Sequence, residues 1–403
     1  MSWRSLFGLT RRPTLERFAN ELLEQARKAG APYWEFDPKE QALRHTRNAG
    51  HRLNLTNLFL EYTRAKTERR PALIQKSLAV LTTSRTIPKL WSVAAGGIYP
   101  ALRSRYLTSI AEIELRGTAK PFPPAMIKPW VDDVVVALLY DFGPHMGIAS
   151  KDIVESWGAA EQEVWSRAGA NLRALPRPTW QPLNGGIFRI ASSVAYEESF
   201  LLVDEVLESL KLTGPPVFAI PNKGVCLAAD STNESALRAL LAEMKRSLEQ
   251  APWPLSAALF ERTLEGWRTF ERPAELAASV RMLRLLDLAR TYEIQKAALD
   301  KLNRRTGTDI FVASFVLRAP KDRPDEVASF ATWSAGIDTL LPKSEHIILG
   351  RGLPPTPEVL PRPWARVREV CGQYFEATPE DPPRYRVRAF PNEAEWEQLK
   401  ANV

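Results

Sequence analysis

The chain is poor in the residues that most often announce chemistry. It has 2 cysteines and 4 histidines among 403 residues. Cys226 and Cys371 stand far apart, so neither a disulfide framework nor a four-ligand zinc site can be built from them without histidine. His45, His51, His145 and His346 offer no close-spaced ligand pair, so no metal and no other cofactor is expected. Cys226 lies in the apolar run Val225-Cys226-Leu227, where a small thiol is ordinarily packed. This cysteine usage fits a reducing, cytoplasmic compartment. No span reaches the ~20 apolar residues that a membrane helix needs. Also missing are the GxGxxG and GxxxxGK[ST] phosphate loops and the GxSxG nucleophile elbow, and neither a repeat nor a low-complexity segment is visible.

What is present is apolar and well punctuated. Hydrophobic residues make up 45% of the chain, enough for more than one core. The 32 prolines fall mostly between apolar runs and so mark boundaries rather than a disordered tract. The net charge of +7 is uneven: residues 1–120 hold 21 Lys/Arg against 10 Asp/Glu. Arg64, Lys66, Arg69, Arg70 and Lys76 share one helical region that could meet phosphates, but no nucleic-acid motif accompanies them. They read as a solvated face, and nucleic acid is not expected as a partner. Met1–Arg12 could lay Trp3, Leu6, Phe7 and Leu9 on an anionic membrane surface; a tail docked on its own domain is the expectation.

The clearest single element is Val134-Val135-Val136-Ala137-Leu138-Leu139-Tyr140, apolar without interruption and β-branched at its start. That is the pattern of a strand buried on both faces, and Asp141-Phe142-Gly143-Pro144 ends it in a turn. Before it, Thr14 caps a helix to about Lys28, short strands follow at Tyr33–Phe36 and Leu53–Leu55, and helical spacing resumes from Leu58 and again from Pro71. Residues 85–125 contain only short apolar pieces. After the central run come two helices ending at Gly158 and before Pro176, then a strand Ile187–Ile190. A helix is predicted from about Tyr196, a hairpin with a four-residue loop at Pro221–Gly224, and a helix capped by Asn233. From Pro273 a long helical pattern runs to about Arg305, followed by a strand over Ile310–Leu317 and weaker strands beyond it. Leu353–Pro363 reads as a surface strap. This order lacks βαβ alternation and predicts an α+β fold of mixed, mainly antiparallel sheets with packed helices. Two to three modules are expected: a basic one over residues 1–120, a central one over 121–270, and a helix-plus-β one over 271–403.

The stretch from Asp132 to Phe260 resembles the YtpQ-like proteins, a bacterial family of unknown function. The features that carry the resemblance are the apolar strand ending in Asp141, the helix pair closing on Ala170-Asn171-Leu172, and Ile187-Phe188. The hairpin Ala219-Ile220-Pro221-Asn222-Lys223 and Pro254-Leu255-Ser256 before Leu259-Phe260 belong to it too. Residues 14–81 and 309–349 are similar more weakly. The family's hairpin carries Arg-Asp where this chain has Lys223-Gly224. The resemblance implies a cytoplasmic bacterial α+β protein and brings no activity with it.

Candidate chemistry is sparse. Asp132 and Asp133 precede the central strand and Asp141 ends it, roughly 25 Å away at ~3.3 Å per residue, so they cannot form one dyad. Asp141 and His145 can meet across the turn and are the candidate polar site, against the plainer reading of a turn-capping carboxylate and an exposed imidazole. Tyr196-Glu197-Glu198 reads as an acidic first helical turn that suits the helix dipole. No catalytic set converges, so a non-catalytic binding or adaptor protein with a protein partner is the expectation. The alternatives are an enzyme with its site at Asp141 and His145, or a nucleic-acid or membrane-surface binder acting through the basic N-terminal module.

Overall fold

The apolar run forms the strand Val134–Asp141. In the computed structural model, which describes residues 13–47, 51–83, 86–116, 123–250, 253–271, 274–319, 326–352 and 358–401, it pairs antiparallel with Ile98–Ser104 on one side and Ile127–Val131 on the other. Its far end turns back into Met146–Ile148. Val134 and Leu138 share one face and pack with Phe200 and with Trp157 respectively, while Ala137 and Leu139 on the opposite face pack with Ala101 and Ile127. Both faces are therefore covered, as an unbroken apolar run requires.

Residues 85–125 are richer than their apolar pieces suggested. They contain the strand Ile98–Ser104 and the helix Arg105–Leu115, capped by Ser104, whose hydroxyl accepts the Leu107 N–H. Ile98–Ser104 lies at the edge of its sheet, where Pro100 is tolerated. This sheet unites strands from both sides of the boundary expected at residues 120/121.

A six-stranded antiparallel sheet follows, in the order Gly266–Thr269, Leu259–Thr263, Pro216–Asn222, Val225–Asp230, Ile187–Ala191, Thr179–Leu183. The helix Glu234–Gln250 packs Leu237, Leu240 and Met244 on Val217 and Leu227, and Asn233 caps it by accepting the Ala236 N–H at 3.0 Å. Gly185, at φ +83°, lies so near this helix that a β-carbon would come within 2.6 Å of the Ala239 methyl. The hairpin expected to carry a four-residue loop has a two-residue turn instead, because Asn222 pairs with Val225 and Gly224 takes φ +77°.

The helix expected from Tyr196 is a 3₁₀ segment, Glu197–Leu202, followed by a short helix, Asp204–Glu208. Glu198 explains the difference. It is fully buried, pairs with Arg103 at 2.8 Å and accepts the Gly224 N–H at 2.9 Å, so it is not on a solvated first turn.

The N-terminal unit packs the helices Leu15–Lys28, Thr56–Arg64 and Arg70–Thr82 against a three-stranded sheet around Phe18, Leu22, Leu43 and Leu55. Its middle strand, Ala42–His45, is too short and polar to have shown a period of two.

The thirty-residue helix Ala277–Thr306 touches every unit. Val280 and Leu283 join the Leu237 cluster, Ala298 and Leu299 pack on Ile110 and Ile113, and Lys301 pairs with Glu40 of the N-terminal unit. On its C-terminal side Tyr292 donates to the Pro383 carbonyl and Gln295 to that of Pro382, each at 2.8 Å.

Beyond it, the strand expected over Ile310–Leu317 splits in two. Phe311–Val312 pairs in parallel with Thr339–Pro342, whereas Val316–Arg318 pairs antiparallel in a different sheet with Ala328–Ser334. Each of these sheets has four strands, and the core between them holds Trp333, Leu341, Ile347 and Trp396. Glu358–Pro363, read as part of a strap, is an edge strand on His346–Arg351. The fold is α+β with mainly antiparallel sheets. No helix among the described residues is long and apolar enough to cross a membrane. Met1–Arg12, the tail weighed above, lies outside the described residues.

Candidate functional site

Asp141 and His145 sit on one hairpin turn. The chain reverses between Asp141 and Met146, with the Phe142 N–H donating to the His145 carbonyl at 2.9 Å. Asp141 Oδ1 accepts the Gly143 N–H at 2.7 Å and Oδ2 accepts the Tyr196 hydroxyl at 2.9 Å. Burial and the Asp141 charge hold the Tyr196 phenol well above its ordinary range, so it stays a donor. The His145 ring stacks on Phe142, with centroids 4.7 Å apart. In this arrangement both oxygens of Asp141 are engaged in fixing the turn and fastening it to the Tyr196 segment.

The other end of the strand holds a more unusual carboxylate. Asp132, at φ +53°, and Asp133 form the turn between Ile127–Val131 and the central strand. Asp132 pairs with Arg284 of the long helix at 2.5 Å. Asp133 is buried and accepts the Ser256 hydroxyl at 2.5 Å. Its carboxyl is pushed up to about 7, first by burial and then by the charge of Asp287.

Asp287 stands on the inward face of the long helix, only 8% exposed. Burial pushes its carboxyl up to about 6, against the pull of Arg290 and Arg284. Among the described residues its oxygens accept no hydrogen bond and make no ion pair. Its oxygens are not among the fully buried atoms that lack a hydrogen-bond partner, so the carboxylate opens onto the space beside it.

Asp287 lines a cavity of about 350 Å³, within the ~300–1,000 Å³ of small-molecule sites. Leu283, Leu286 and Arg290 continue its wall along the same helix, and Lys245, Leu248 and Glu249 come from the last turns of Glu234–Gln250. Arg64 closes it from the end of Thr56–Arg64. Arg290 donates to the Leu248 carbonyl at 3.0 Å and Arg64 to that of Glu249 at 3.5 Å, capping terminal carbonyls of the neighbouring helix. Burial lowers the Arg290 pKa and the nearby Arg64 charge adds to this, against the opposing pull of Asp287 and Glu293. The cavity thus sets a buried acid, Asp287, among three bases, a second acid, Glu249, and three leucines. Neither Asp141 nor His145 lines it.

Sequence reasoning missed Asp287. The signal was present: Val280, Leu283 and Asp287 fall at i, i+3 and i+7, so the acid interrupts an apolar stripe. Arg64 was read only as one member of a solvated run, and its place in this wall depends on two helices remote from it in sequence. Compared with protein-family models, curated proteins and solved structures, the chain finds no match.

Proposed function

We propose that the protein is a non-catalytic binding protein for a small charged molecule, held in the cavity between Thr56–Arg64, Glu234–Gln250 and Ala277–Thr306. The observation that carries this reading is Asp287, a buried carboxylate facing a cavity and lacking any donor among the described residues. A ligand that supplies a charged donor would give this carboxylate a direct, charge-assisted hydrogen bond. Catalysis has less support, because no nucleophile with an adjacent base accompanies the acid in the wall. The likeness to the YtpQ-like proteins and a cytoplasmic bacterial setting belong to the same proposal, as does a protein partner that would sense the loaded state.

The test is native mass spectrometry of the purified protein after equilibration with a small-molecule extract of bacterial cells. A discrete adduct on the wild type that is absent from Asp287→Ala supports the reading. An adduct-free wild type, or one matched by the variant, removes it.

A further inference from the structure

We infer that the groove between the helices Leu15–Lys28 and Arg70–Thr82 is a second ligand site, and that it takes the carboxylate of a small organic acid on Arg70. It shares no residue with the cavity around Asp287.

The groove encloses about 290 Å³, just under the ~300 Å³ at which small-molecule sites begin. Arg70 lines it, half-buried, and its Nε is buried without a hydrogen-bond partner. Among the described residues Arg70 makes no hydrogen bond and no ion pair. Its guanidinium carbon lies 5.3 Å from the centroid of the Tyr62 ring. The ring attracts the positive charge but offers the N–H edge no oxygen. Two other arginines of this unit do have acids: Arg44 pairs with Asp37 at 3.0 Å and Arg52 with Glu40 at 3.2 Å. The rest of the wall favours a molecule that accepts hydrogen bonds. Thr67 and Tyr62 contribute hydroxyls, and Gln75 donates to Gln25 at 3.1 Å, which leaves the Gln25 amide its own N–H donors. Ile74 and Pro71 give a carbon skeleton an apolar side. Glu21 is the acid in the wall, and it decides the charge of the ligand. It opposes a doubly charged phosphate more strongly than a carboxylate. A guanidinium fork also matches a planar carboxylate with two parallel bonds. A cation would gain only Glu21, which is exposed to water, and would face Arg70.

The test is calorimetric titration of the full chain, near neutral pH, with butyrate, butyramide and butyl phosphate, which present three head groups on a short chain. Butyrate should bind about tenfold or more tightly than butyramide, and more tightly than butyl phosphate. Arg70→Gln should remove the preference over the amide. Arg70→Lys, which keeps the charge without the fork, should keep part of it. Glu21→Gln, at an exposed position, should tighten butyl phosphate more than butyrate, and it carries the test if thermal melting shows Arg70→Gln unfolded. Butyramide or butyl phosphate binding as tightly as butyrate overturns the inference. So does a preference that survives Arg70→Gln, or a Glu21→Gln variant that leaves both affinities unchanged. A preference lost in Lys245→Gln and kept in Arg70→Gln would place the acid in the cavity around Asp287 instead. If butyrate does not bind by about 10 mM, the carboxylate site is wrong, while the function proposed for the Asp287 cavity stands on its own test.

Discussion

Asp133, in the turn before the central strand, and Asp287, on the long helix, are two buried carboxyls placed so that the charge of Asp287 opposes ionisation of Asp133. The groups bearing on the pair are Asp132, Arg284, Arg290 and the Ser256 hydroxyl. Both carboxyls are raised in the folded protein, to about 7 and about 6, while in the unfolded chain they titrate near 4. Between those limits the folded state holds more protons than the unfolded state, so stability falls as pH rises through the window. Thermal melting should therefore be higher at about pH 5 than at about pH 8. Asp133→Asn should flatten the slope, by roughly 1–3 kcal/mol across the window. A flat profile, or a slope that the variant leaves unchanged, contradicts the burial of the pair.

Glu198 should be among the least replaceable acids in the chain. It is buried, and it binds both Arg103 and the turn at Gly224. Glu198→Ala leaves Arg103 facing a cavity and the Gly224 N–H without its acceptor, which should cost about 3–5 kcal/mol in denaturant melts. Glu198→Gln, which can still accept, should cost clearly less. Equal losses would mean that shape rather than charge holds this contact.

Leu138 is fully buried near the middle of the central strand. Leu138→Ala should destabilise the protein by about 2–5 kcal/mol, read as a lowered denaturant midpoint at unchanged slope. A loss well under 1 kcal/mol would be incompatible with the burial of this face of the strand.

Legibility followed the range of the interaction. The central strand, the Asn233 helix and the long helix were readable because their signals are local: an unbroken apolar run, a cap, a period of 3.6. The Ile310–Leu317 run misled because its halves join different sheets, a choice made by partners elsewhere in the chain. Glu198 misled because an acid near a helix start reads as solvated until Arg103, 95 residues earlier, is brought beside it. The candidate site was hidden for the same reason. Arg64, Lys245 and Asp287 lie on three helices, and only tertiary packing makes them one wall. Asp141 and His145 were legible because they are neighbours, and that nearness is also why they make a turn.

The turn gives a control. Asp141→Asn and Tyr196→Phe each weaken the 2.9 Å contact between them and should cost about 1 kcal/mol of stability. These variants, and His145→Gln, should keep any ligand adduct seen on the wild type, as judged by native mass spectrometry. Loss of the adduct in Asp141→Asn and His145→Gln, with melting near that of the wild type, would move the site to the turn.

The most direct measurement pairs stability with binding in Asp287→Leu. A buried carboxylate kept for a ligand is a burden on the empty protein, and a leucine would match Leu248, Leu283 and Leu286 around it. The expected result is a ligand-free variant that melts a few degrees above the wild type, a gain of about 1–3 kcal/mol, and that has lost the adduct. A variant that melts lower, or that still carries the adduct, would show that Asp287 serves the fold and that the cavity is not the binding site.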